Sequence, residues 1–321
     1  MNDATKLSKA HVLIIGGAGF IGSHLVDQLT KTDAADIIVY DNFCRGTMKN
    51  LENALTDKRV RVFEVGGDIR DVDILNKAME GVDYVFHLAA LWLLQCHEYP
   101  RAAFETNIAG TFNVLEACVK NKIKKLVYSS SASVYGDAVE IPMTEEHPLN
   151  NKTFYGATKI AGEQMCCAFH ARYGLDYVGL RYMNVYGPRQ DYKGAYVAVI
   201  MKVLDQIRKG ERPTIYGDGN QTYDFVYVED VARANIRALE SPVTDAFYNV
   251  GSGVPTTIKD LVGEILSILD SKLEPVYIPQ GATFVTKRVG STTKAYEDLG
   301  FSDRTDITKG LKKLIEWRNM I

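Results

Sequence analysis

An apolar run interrupted by glycines near the start of the chain constrains the fold more than any other feature. The segment VLIIGGAGFIGSHL, residues 12–25, has the pattern of a buried strand, a glycine-rich turn and an amphipathic helix. Backbone without a Cβ can approach a pyrophosphate closely, and the start of a helix offers unpaired N–H groups to negative charge. Gly16, Gly19 and Gly22 therefore predict a dinucleotide site. The alternative is a tight strand-to-helix turn that requires positive φ.

Strand-like and helix-like segments continue to alternate along the chain. Runs such as DIIVYD, VDYVFHLAA and KKLVYSSS are separated by segments long enough for helices. This order predicts an α/β fold with a doubly wound parallel sheet of the Rossmann type and a smaller, mostly C-terminal α/β substrate lobe. We expect a nucleotide-binding domain at residues 1–183, with returning segments at about 223–250 in TYDFVYVEDVARANIRAL and FYNVGSG. Residues 184–222 and 251–321 would form the substrate lobe.

A carboxylate ends the second of these strands. Asp41 lies about 20 residues beyond the glycines, where such a group accepts hydrogen bonds from the 2′-hydroxyl of an adenosine ribose. This favours NAD over NADP, because a 2′-phosphate would meet a like charge. Arg45 nearby argues weakly in the other direction. The alternative is that Asp41 only terminates a strand.

The composition excludes several classes of protein. The 321 residues carry a formal net charge of −3 and no long basic block, which argues against a nucleic-acid partner. No apolar run approaches the roughly 20 residues that cross a bilayer, and the segment MNDATKLSKA has no apolar signal core. We therefore expect a cytoplasmic protein without a membrane partner. The five cysteines show neither a CxxC pair nor His-rich spacing, so we expect reduced thiols and no metal.

A second motif contains candidate acid–base groups. In TFYGATK, Tyr155 and Lys159 stand four apart at the start of a helical pattern, so both side chains lie on one face. Tyrosine, with a pKa of about 10, is a poor base, but a neighbouring ammonium favours the phenolate and lowers that pKa. The run KKLVYSS leads into Ser131 and Ser133 at the carboxyl end of a strand, where α/β ligands bind. These groups predict proton abstraction from an alcohol. The alternative is a half-exposed surface pair.

These residues together resemble the extended short-chain dehydrogenase/reductases, and within them the NAD-dependent nucleotide-sugar epimerases and dehydratases, a family that includes UDP-glucose 4-epimerase. The resemblance covers nearly the whole chain through GGAGFIG, GDIRD, HLAA, TNIAGT, SSSASVYG, YGATK, RYMNVYGPRQ and GDGNQTYDFVYVEDVA. It implies NAD as cofactor, a nucleotide sugar as substrate, and a homodimer. The dimer would form through a four-helix bundle built from residues 101–121 and 153–173 of each chain.

The resemblance also implies roles for individual residues. Ser131, Tyr155 and Lys159 match the catalytic set, and Ser131, Ser133, Tyr155 and Asn184 would contact substrate. A strand-end cap is the alternative for Ser133. The implied NAD contacts are Gly16, Gly19, Phe20, Ile21, Gly22, Asp41, Asn42, Asp68, Ile69, Leu88, Ala89, Ala90, Thr106, Tyr155 and Lys159.

The residues before VYG distinguish between reactions of this family. Sugar 4,6-dehydratases carry an Asp-Glu pair there, because the removal of water needs a second acid and base. This chain has Ala132 and Ser133. The remaining chemistry is oxidation at one carbon and re-reduction there, which predicts a C4-epimerase. The alternatives are a net redox enzyme (dehydrogenase or reductase) or unusual dehydratase of the same family, and a non-catalytic NAD-sensing protein.

The substrate lobe departs from the family pattern where the diphosphate is bound. Tyr223 stands where an arginine is usual, and a second expected arginine falls near residues 281–282, without a cationic match. Arginine forms bidentate bonds to phosphate that tyrosine cannot copy. Arg189, Lys287 and Arg288 are candidate substitutes, and Tyr223 itself stays a candidate substrate contact. Arg288 is also a candidate to bind a sugar carboxylate. The alternative for Arg288 is a solvated surface charge.

Overall fold

The structure is a computed structural model that describes residues 5–192, 198–279 and 285–320. Its strands are β1 (His11–Ile15), β2 (Asp36–Tyr40), β3 (Val60–Val62), β4 (Tyr84–His87), β5 (Lys125–Ser131), β6 (Tyr177–Tyr182), β7 (Asn184–Tyr186), β8 (Thr214–Tyr216), β9 (Thr222–Tyr227), β10 (Ala246–Val250), β11 (Pro255–Thr257), β12 (Val276–Ile278) and β13 (Lys287–Arg288). Its helices are α1 (Phe20–Leu29), α2 (Val72–Ala78), α3 (Leu93–Glu98), α4 (Pro100–Ala103), α5 (Gly110–Lys120), α6 (Phe154–Tyr173), α7 (Val199–Arg208), α8 (Val228–Glu240), α9 (Ile258–Ile268), α10 (Thr293–Leu299) and α11 (Ile307–Asn319). A π-helical turn, Phe104–Ala109, joins α4 to α5. Among the described residues no helix combines the length and apolar character that a membrane span requires.

Seven parallel strands form the central sheet, in the order β10-β6-β5-β4-β1-β2-β3. Val12 and Ile14 of β1 pack into one hydrophobic layer, whereas Leu13 and Ile15 pack into the other. This alternation buries both faces of the sheet. The strand order reverses between β1 and β4, so the loops that follow these strands border one crevice. The predicted α/β fold with a doubly wound parallel sheet is confirmed.

The C-terminal part of the chain contains a smaller sheet centred on β9. This strand pairs antiparallel with β11 and parallel with β13 and β7, while β8 and β12 pair separately. As expected, α8 packs against α1, and β10 joins the central sheet beside β6. The expectation that the strand of TYDFVYV also returns to the central sheet is wrong. Its apolar residues predict burial, but they do not specify which strand becomes the partner.

A buried charge network joins β5, β6 and α6. Arg181 on β6 donates two hydrogen bonds to Glu163 on α6, from Nε to Oε1 at 2.9 Å and from Nη2 to Oε2 at 2.8 Å. Ser130 on β5 donates to Oε1 of the same carboxylate at 2.5 Å. The Arg181 and Glu163 side chains are only 7% and 1% exposed, so each charge depends on the other for compensation. The network holds the end of β5 against α6.

Removal of one partner from this network is expected to destabilise the fold strongly. Glu163→Ala leaves the Arg181 charge buried and uncompensated, which should lower the free energy of unfolding by about 3–5 kcal/mol. Arg61→Ala breaks a more exposed pair with Asp36 and is the matched control, with an expected loss below about 1 kcal/mol. Denaturant unfolding measures both losses. Equal losses would contradict the importance of the buried pair.

Candidate active site

The glycine-rich loop connects β1 to α1 at the carboxyl edge of the central sheet. Gly16 has a φ of +83°, and a Cβ there would lie 2.7 Å from the backbone N of Ala89. At Gly22 a Cβ would lie 2.2 Å from the Gly16 carbonyl oxygen. The fold itself therefore requires glycine at both positions, which agrees with the alternative explanation of a tight strand-to-helix turn.

Gly19 differs from these two glycines. Its φ is −72°, which other residues adopt freely, and the Gly16 carbonyl oxygen, at 3.2 Å, is the one nearby atom in the described structure that a Cβ would meet. Within those residues no side chain caps α1, which begins at the next position. The approach of a ligand explains this glycine better than the fold does. The loop therefore fits a pyrophosphate at the N-terminus of α1.

Asp41 links the end of β2 to this loop. Its carboxylate accepts hydrogen bonds from the backbone N–H of Ala18 at 2.9 Å and of Phe43 at 2.8 Å. Burial raises the pKa of the Asp41 carboxyl above its usual value, and these backbone hydrogen bonds oppose the shift. A carboxylate has about four acceptor positions, so two hydrogen bonds leave room for a ribose. Asp41 thus has the structural role given above as the alternative, at the position predicted for ribose recognition.

The other residues expected to contact NAD follow the parallel strands of the sheet. Leu88 and Ala89 donate backbone hydrogen bonds to the Ile15 carbonyl at 2.8 and 3.1 Å, which holds the loop after β4 beside the glycine-rich loop. Adjacent parallel strands present such loops at the same edge. The remaining members of the set are Phe20 and Ile21 at the start of α1, Asn42 after β2, Asp68 and Ile69 after β3, Ala90 after β4, and Thr106 in the π-helical turn.

Asn107, to which the sequence analysis assigned no role, fixes the loop after β4. Its Oδ1 accepts from the Leu91 N–H at 2.7 Å, and its Nδ2 donates to the Leu91 carbonyl at 2.9 Å. The same Nδ2 donates to Thr158 Oγ1 on α6 at 3.1 Å. The amide thus connects the cofactor-side loop to the helix that carries Tyr155. The π-helical turn that places Asn107 is common at functional sites, but the letters TNIAGT do not distinguish it from an α-helix.

Ser131, Tyr155 and Lys159 come together where β5 ends and α6 begins. Ser131 is the last residue of β5 and lies near Tyr155 in the first turn of α6, where its hydroxyl opposes the rise in the pKa of the phenol. Lys159 lies one turn further along, with Nζ 5.7 Å from the centroid of the Tyr155 ring. Its ammonium donates to the Ser129 carbonyl at 2.7 Å. The structure therefore brings the predicted catalytic set into one cluster, at the edge of the sheet that carries the glycine-rich loop.

Ser133 supports Ser131. The Ser131 hydroxyl donates to Ser133 Oγ at 3.2 Å and accepts from the Ser133 backbone N–H at 3.1 Å. Ser131, and not Ser133, is the residue whose side chain caps the short turn Ala132–Val134. The buried Ser133 hydroxyl therefore orients its neighbour.

The electrostatics around Tyr155 differ from the expectation. Burial raises the pKa of Tyr155 to about 12, against the opposing effects of its hydrogen bond with Ser131 and the charges of Arg288 and Arg45. Burial also lowers the pKa of Lys159 to about 8. The prediction that Lys159 brings the tyrosine pKa below its usual value is therefore wrong for the side chains of the protein alone. Desolvation of the phenolate outweighs the nearby positive charges.

Arg45 is a site residue that the sequence analysis considered only in relation to cofactor choice. Its guanidinium lies 4.8 Å from the centroid of the Trp92 ring and pairs with Asp191 at 3.0 Å. Its charge lowers the pKa of Tyr155. Arg45 comes from the irregular segment after β2, which carries no motif that would predict a position near α6.

Tyr223 and Arg288 are neighbours in the smaller sheet. They are register partners on β9 and β13. The Tyr223 hydroxyl donates to the Val285 carbonyl at 2.8 Å, so this donor is already used within the lobe. Arg288 is partly buried and donates to the Gly136 carbonyl at 3.3 Å, so the alternative of a solvated surface charge does not apply.

The other substrate candidates lie elsewhere. Asn184 begins β7 and pairs with β9. Arg189 forms an ion pair with Asp27 at 2.7 Å, which ties it to α1 instead of to the Tyr155 cluster. Positions 281–282, where a second diphosphate arginine was expected, lie outside the described residues. In the described ranges no group of three or more His, Cys, Asp or Glu side chains could hold a metal ion.

The contrast between Gly19 and Gly22 predicts two different phenotypes. Gly19→Ala should change the free energy of unfolding by less than about 1 kcal/mol but weaken NAD binding at least about 10-fold, because the new methyl group meets the pyrophosphate. Gly22→Ala, the matched control, should cost about 1–3 kcal/mol of stability because its Cβ overlaps backbone. Calorimetric titration with NAD and denaturant unfolding separate the two effects. Unchanged NAD affinity in Gly19→Ala would contradict this placement of the phosphates.

Known proteins are similar to this chain in sequence and in fold. The model of the NAD dependent epimerase/dehydratase family matches residues 12–251. A putative UDP-glucose 4-epimerase from Methanocaldococcus jannaschii is 37% identical over 311 residues, which is 95% of this chain and 97% of the relative. A solved UDP-N-acetylglucosamine 4-epimerase from Methanobrevibacter ruminantium, in complex with UDP-N-acetylmuramic acid, is 36% identical with a TM-score of 0.92, and the match covers 98% of this chain and 99% of that one. UDP-glucose 4-epimerase from Thermotoga maritima, solved with UDP-glucose, is 35% identical with a TM-score of 0.89, covering 97% and 99%.

These similarities agree with the geometry of the site. The glycine-rich loop, Asp41 and the cluster of Ser131, Tyr155 and Lys159 all fall within the matched range. The match extends along the whole chain and is not confined to the nucleotide-binding half. The chain therefore belongs to the NAD-dependent epimerase/dehydratase family of the extended short-chain dehydrogenase/reductases.

Proposed function

We propose that this chain is an NAD-dependent epimerase that inverts C4 of a nucleotide sugar, by transient oxidation to a 4-keto intermediate and re-reduction. The observation that carries this conclusion is the junction of β5 and α6, where Ser131 and Lys159 lie near Tyr155 at the same edge of the sheet as the glycine-rich loop. The relatives described above are named as 4-epimerases of UDP sugars, in one case putatively. The identity of the nucleotide base and of the sugar is to be determined by assay of a panel of nucleotide sugars.

The residues of the crevice suit NAD. Gly19 leaves space at the N-terminus of α1 for a pyrophosphate, Asp41 is placed for a ribose, and Lys159 lies beside Tyr155 for the nicotinamide ribose. When bound, NAD supplies the acceptor for a hydride from C4 and then the donor for its return to the opposite face.

The side chains of the protein handle the proton in this reaction. Burial raises the pKa of Tyr155 to about 12 in the protein alone, so its phenolate would need the positive charge of bound NAD in addition to the nearby side-chain cations. That phenolate would remove the proton of the 4-hydroxyl and give it back when the 4-keto group is reduced. When substrate binds, the Ser131 hydroxyl would turn its one proton from Ser133 Oγ to O4, while it keeps the hydrogen bond from the Ser133 N–H. The fixed positions of these groups lower the barrier because little orientation remains to be achieved in the transition state. The proton and the hydride both return to the sugar, so the reaction has no net redox change.

The local sequence favours epimerisation over dehydration. Ala132 and Ser133 are 1% and 5% exposed and occupy the positions where the dehydratases carry Asp and Glu. Neither can act as the second carboxylic acid that removal of water requires. A dehydrogenase or reductase of the same family is the second candidate. The cluster around Tyr155 would suit a single oxidation or reduction equally well as the oxidation and re-reduction of an epimerase.

In this proposal the two parts of the chain divide the ligands. Residues 1–183, with returning segments within 223–250, bind NAD, while residues 184–222 and 251–321 bind the sugar nucleotide. The pairing of β9 with β7 and β13 supports moving residues 223–227 from the NAD-binding part of this proposal to the substrate part. The substrate roles of Asn184 and Arg189 stay predictions.

A panel of UDP-, GDP-, CDP- and dTDP-sugars tests the reaction. We expect NMR to show inversion at C4 for at least one sugar, with no net change in NADH absorbance. Tyr155→Phe should lower kcat by about 10²–10⁴-fold, because it removes the acid–base group. The exposed Tyr296 on α10 supplies the control Tyr296→Phe, for which we expect parental kcat. Stoichiometric NADH accumulation would favour the dehydrogenase, and full activity of Tyr155→Phe would overturn the mechanism.

We also propose that the chain forms a homodimer through a four-helix bundle. A continuous helical segment, made of α4, the π-helical turn and α5, lies beside α6, and together they expose large hydrophobic residues. The Phe112 ring packs edge-on against Phe169 at 5.4 Å, and Phe169 against Tyr173 at 5.4 Å. Phe112 and Tyr173 are nevertheless 41% and 51% exposed. A second copy would cover this patch. The cytoplasmic location stays a prediction.

Charge placed on the patch should separate the subunits. We expect Phe112→Glu to shift the mass measured by light scattering from dimer to monomer, because the carboxylate cannot be buried without a partner. Tyr296→Glu, which adds the same charge to an exposed ring on α10, should remain dimeric. A monomeric parent, or a Phe112→Glu variant as dimeric as the control, would rule out this interface.

A further inference from the structure

Arg288 carries a positive charge that the described protein does not neutralise. Its Nε is completely buried, with no hydrogen-bond partner among the described residues. Within the same residues it forms no ion pair, and its Nη2 donates only to the neutral carbonyl of Gly136. Burial lowers the pKa of the guanidinium to about 10, so it remains charged at neutral pH. An uncompensated cation in such surroundings is costly unless a ligand supplies the anion.

Asp137 acts electrostatically on Arg288 but is occupied elsewhere. Its carboxylate accepts hydrogen bonds from the backbone N–H groups of Thr286 and Lys287, both at 2.9 Å, and from Thr286 Oγ1 at 2.9 Å. These bonds attach β13 to the segment that follows β5. Asp137 is thus a positioning residue that holds Arg288 against this segment.

The guanidinium lies on the side of the site where the chemistry occurs. Gly136, its hydrogen-bond partner, closes the turn that begins at Ser131. The charge of Arg288 opposes the rise that burial causes in the pKa of Tyr155, so the guanidinium is within electrostatic range of the phenol. An anion bound by Arg288 would therefore lie near the reacting part of the sugar.

We infer that Arg288 binds a carboxylate carried by the sugar, so that the site prefers acidic nucleotide sugars to their neutral counterparts. This inference rests on the proposed function and names its substrate class. The planar guanidinium suits a carboxylate, which accepts parallel hydrogen bonds, and the unpartnered Nε shows that the protein leaves part of this fork unsatisfied. Such a charge-assisted contact discriminates by about 10- to 100-fold. A contact to the diphosphate, which all nucleotide sugars share, would produce no such preference.

Two matched pairs of sugars test this inference on the NAD-loaded protein. UDP-glucuronic acid and UDP-glucose differ by a carboxylate at C6, and UDP-N-acetylmuramic acid and UDP-N-acetylglucosamine differ by a carboxylate on a lactyl ether. We expect the acidic member of one pair to have the higher kcat/KM, by at least about 10-fold. The pair that shows the preference identifies the position of the carboxylate.

Substitutions then assign the preference to its residue. Arg288→Met should reduce the acidic-to-neutral ratio of kcat/KM by about 10- to 100-fold, and Arg288→Lys should restore part of it. Lys287→Met is the matched control, because this exposed neighbour on β13 points to the opposite face of the strand. Its ratio should stay within about twofold of the parent. The ratio is insensitive to changes that affect both sugars, such as an altered pKa of Tyr155.

Binding measurements separate a failure of this inference from a failure of the proposed function. Dissociation constants for both pairs are measured with NAD-loaded Tyr155→Phe and with the double variant that adds Arg288→Met. If no sugar is epimerised, the proposed function fails, while the ratio of dissociation constants still decides the role of Arg288. Equal affinity for acidic and neutral sugars, or an equal loss of both in the double variant, overturns the inference.

Discussion

The contact between the end of β5 and the first turns of α6 is the interaction on which the rest of the site depends. Lys159 reaches back to the Ser129 carbonyl, and the next residue of the strand, Ser130, is bonded to Glu163. Glu163 is in turn held by Arg181 from β6. Ser131 therefore emerges from the strand at a fixed distance from Tyr155. The geometry of the proposed catalytic cluster therefore depends on these buried polar contacts next to it. Burial of such groups costs much less free energy when each has a partner than when one is left without.

The electrostatic character of the site follows from what surrounds Tyr155. Burial penalises the phenolate, whereas Arg45 and Arg288 favour it from two separate parts of the chain. Lys159 adds a third cation, which unlike Arg45 is buried, and its own pKa is lowered for the same reason that the pKa of Tyr155 is raised. A cleft with an excess of positive charge is suited to anionic ligands, and a dinucleotide and a nucleotide sugar both carry diphosphates. Desolvation thus makes the site dependent on its ligands for its final charge balance.

The substrate side shows how a charge can be relocated without a change of fold. An arginine usual in this family at position 223 is replaced by a tyrosine whose hydroxyl is used within the lobe. Its register partner on the adjacent strand β13 is Arg288, which carries a positive charge. The hydrogen bonds of Asp137 fix the strand that bears it. The positive charge in this small sheet therefore lies on β13, one strand away from the position on β9 where the family usually carries it.

The sequence by itself determined the elements whose causes are local. The glycine spacing, the carboxylate after β2 and the four-residue interval between Tyr155 and Lys159 depend on backbone geometry over a few residues, so they predicted the parallel sheet, the nucleotide loop and the catalytic set. Tertiary structure decided the features that depend on burial and on distant partners. It placed β9 in the smaller sheet, drew Arg189 to Asp27 and Arg45 towards Tyr155, and gave Asn107 its position in a π-helical turn. It also reversed the expected direction of the Tyr155 pKa shift. Desolvation depends on all the atoms packed around the phenol, and the spacing of residues along the chain does not reveal how many of them there are.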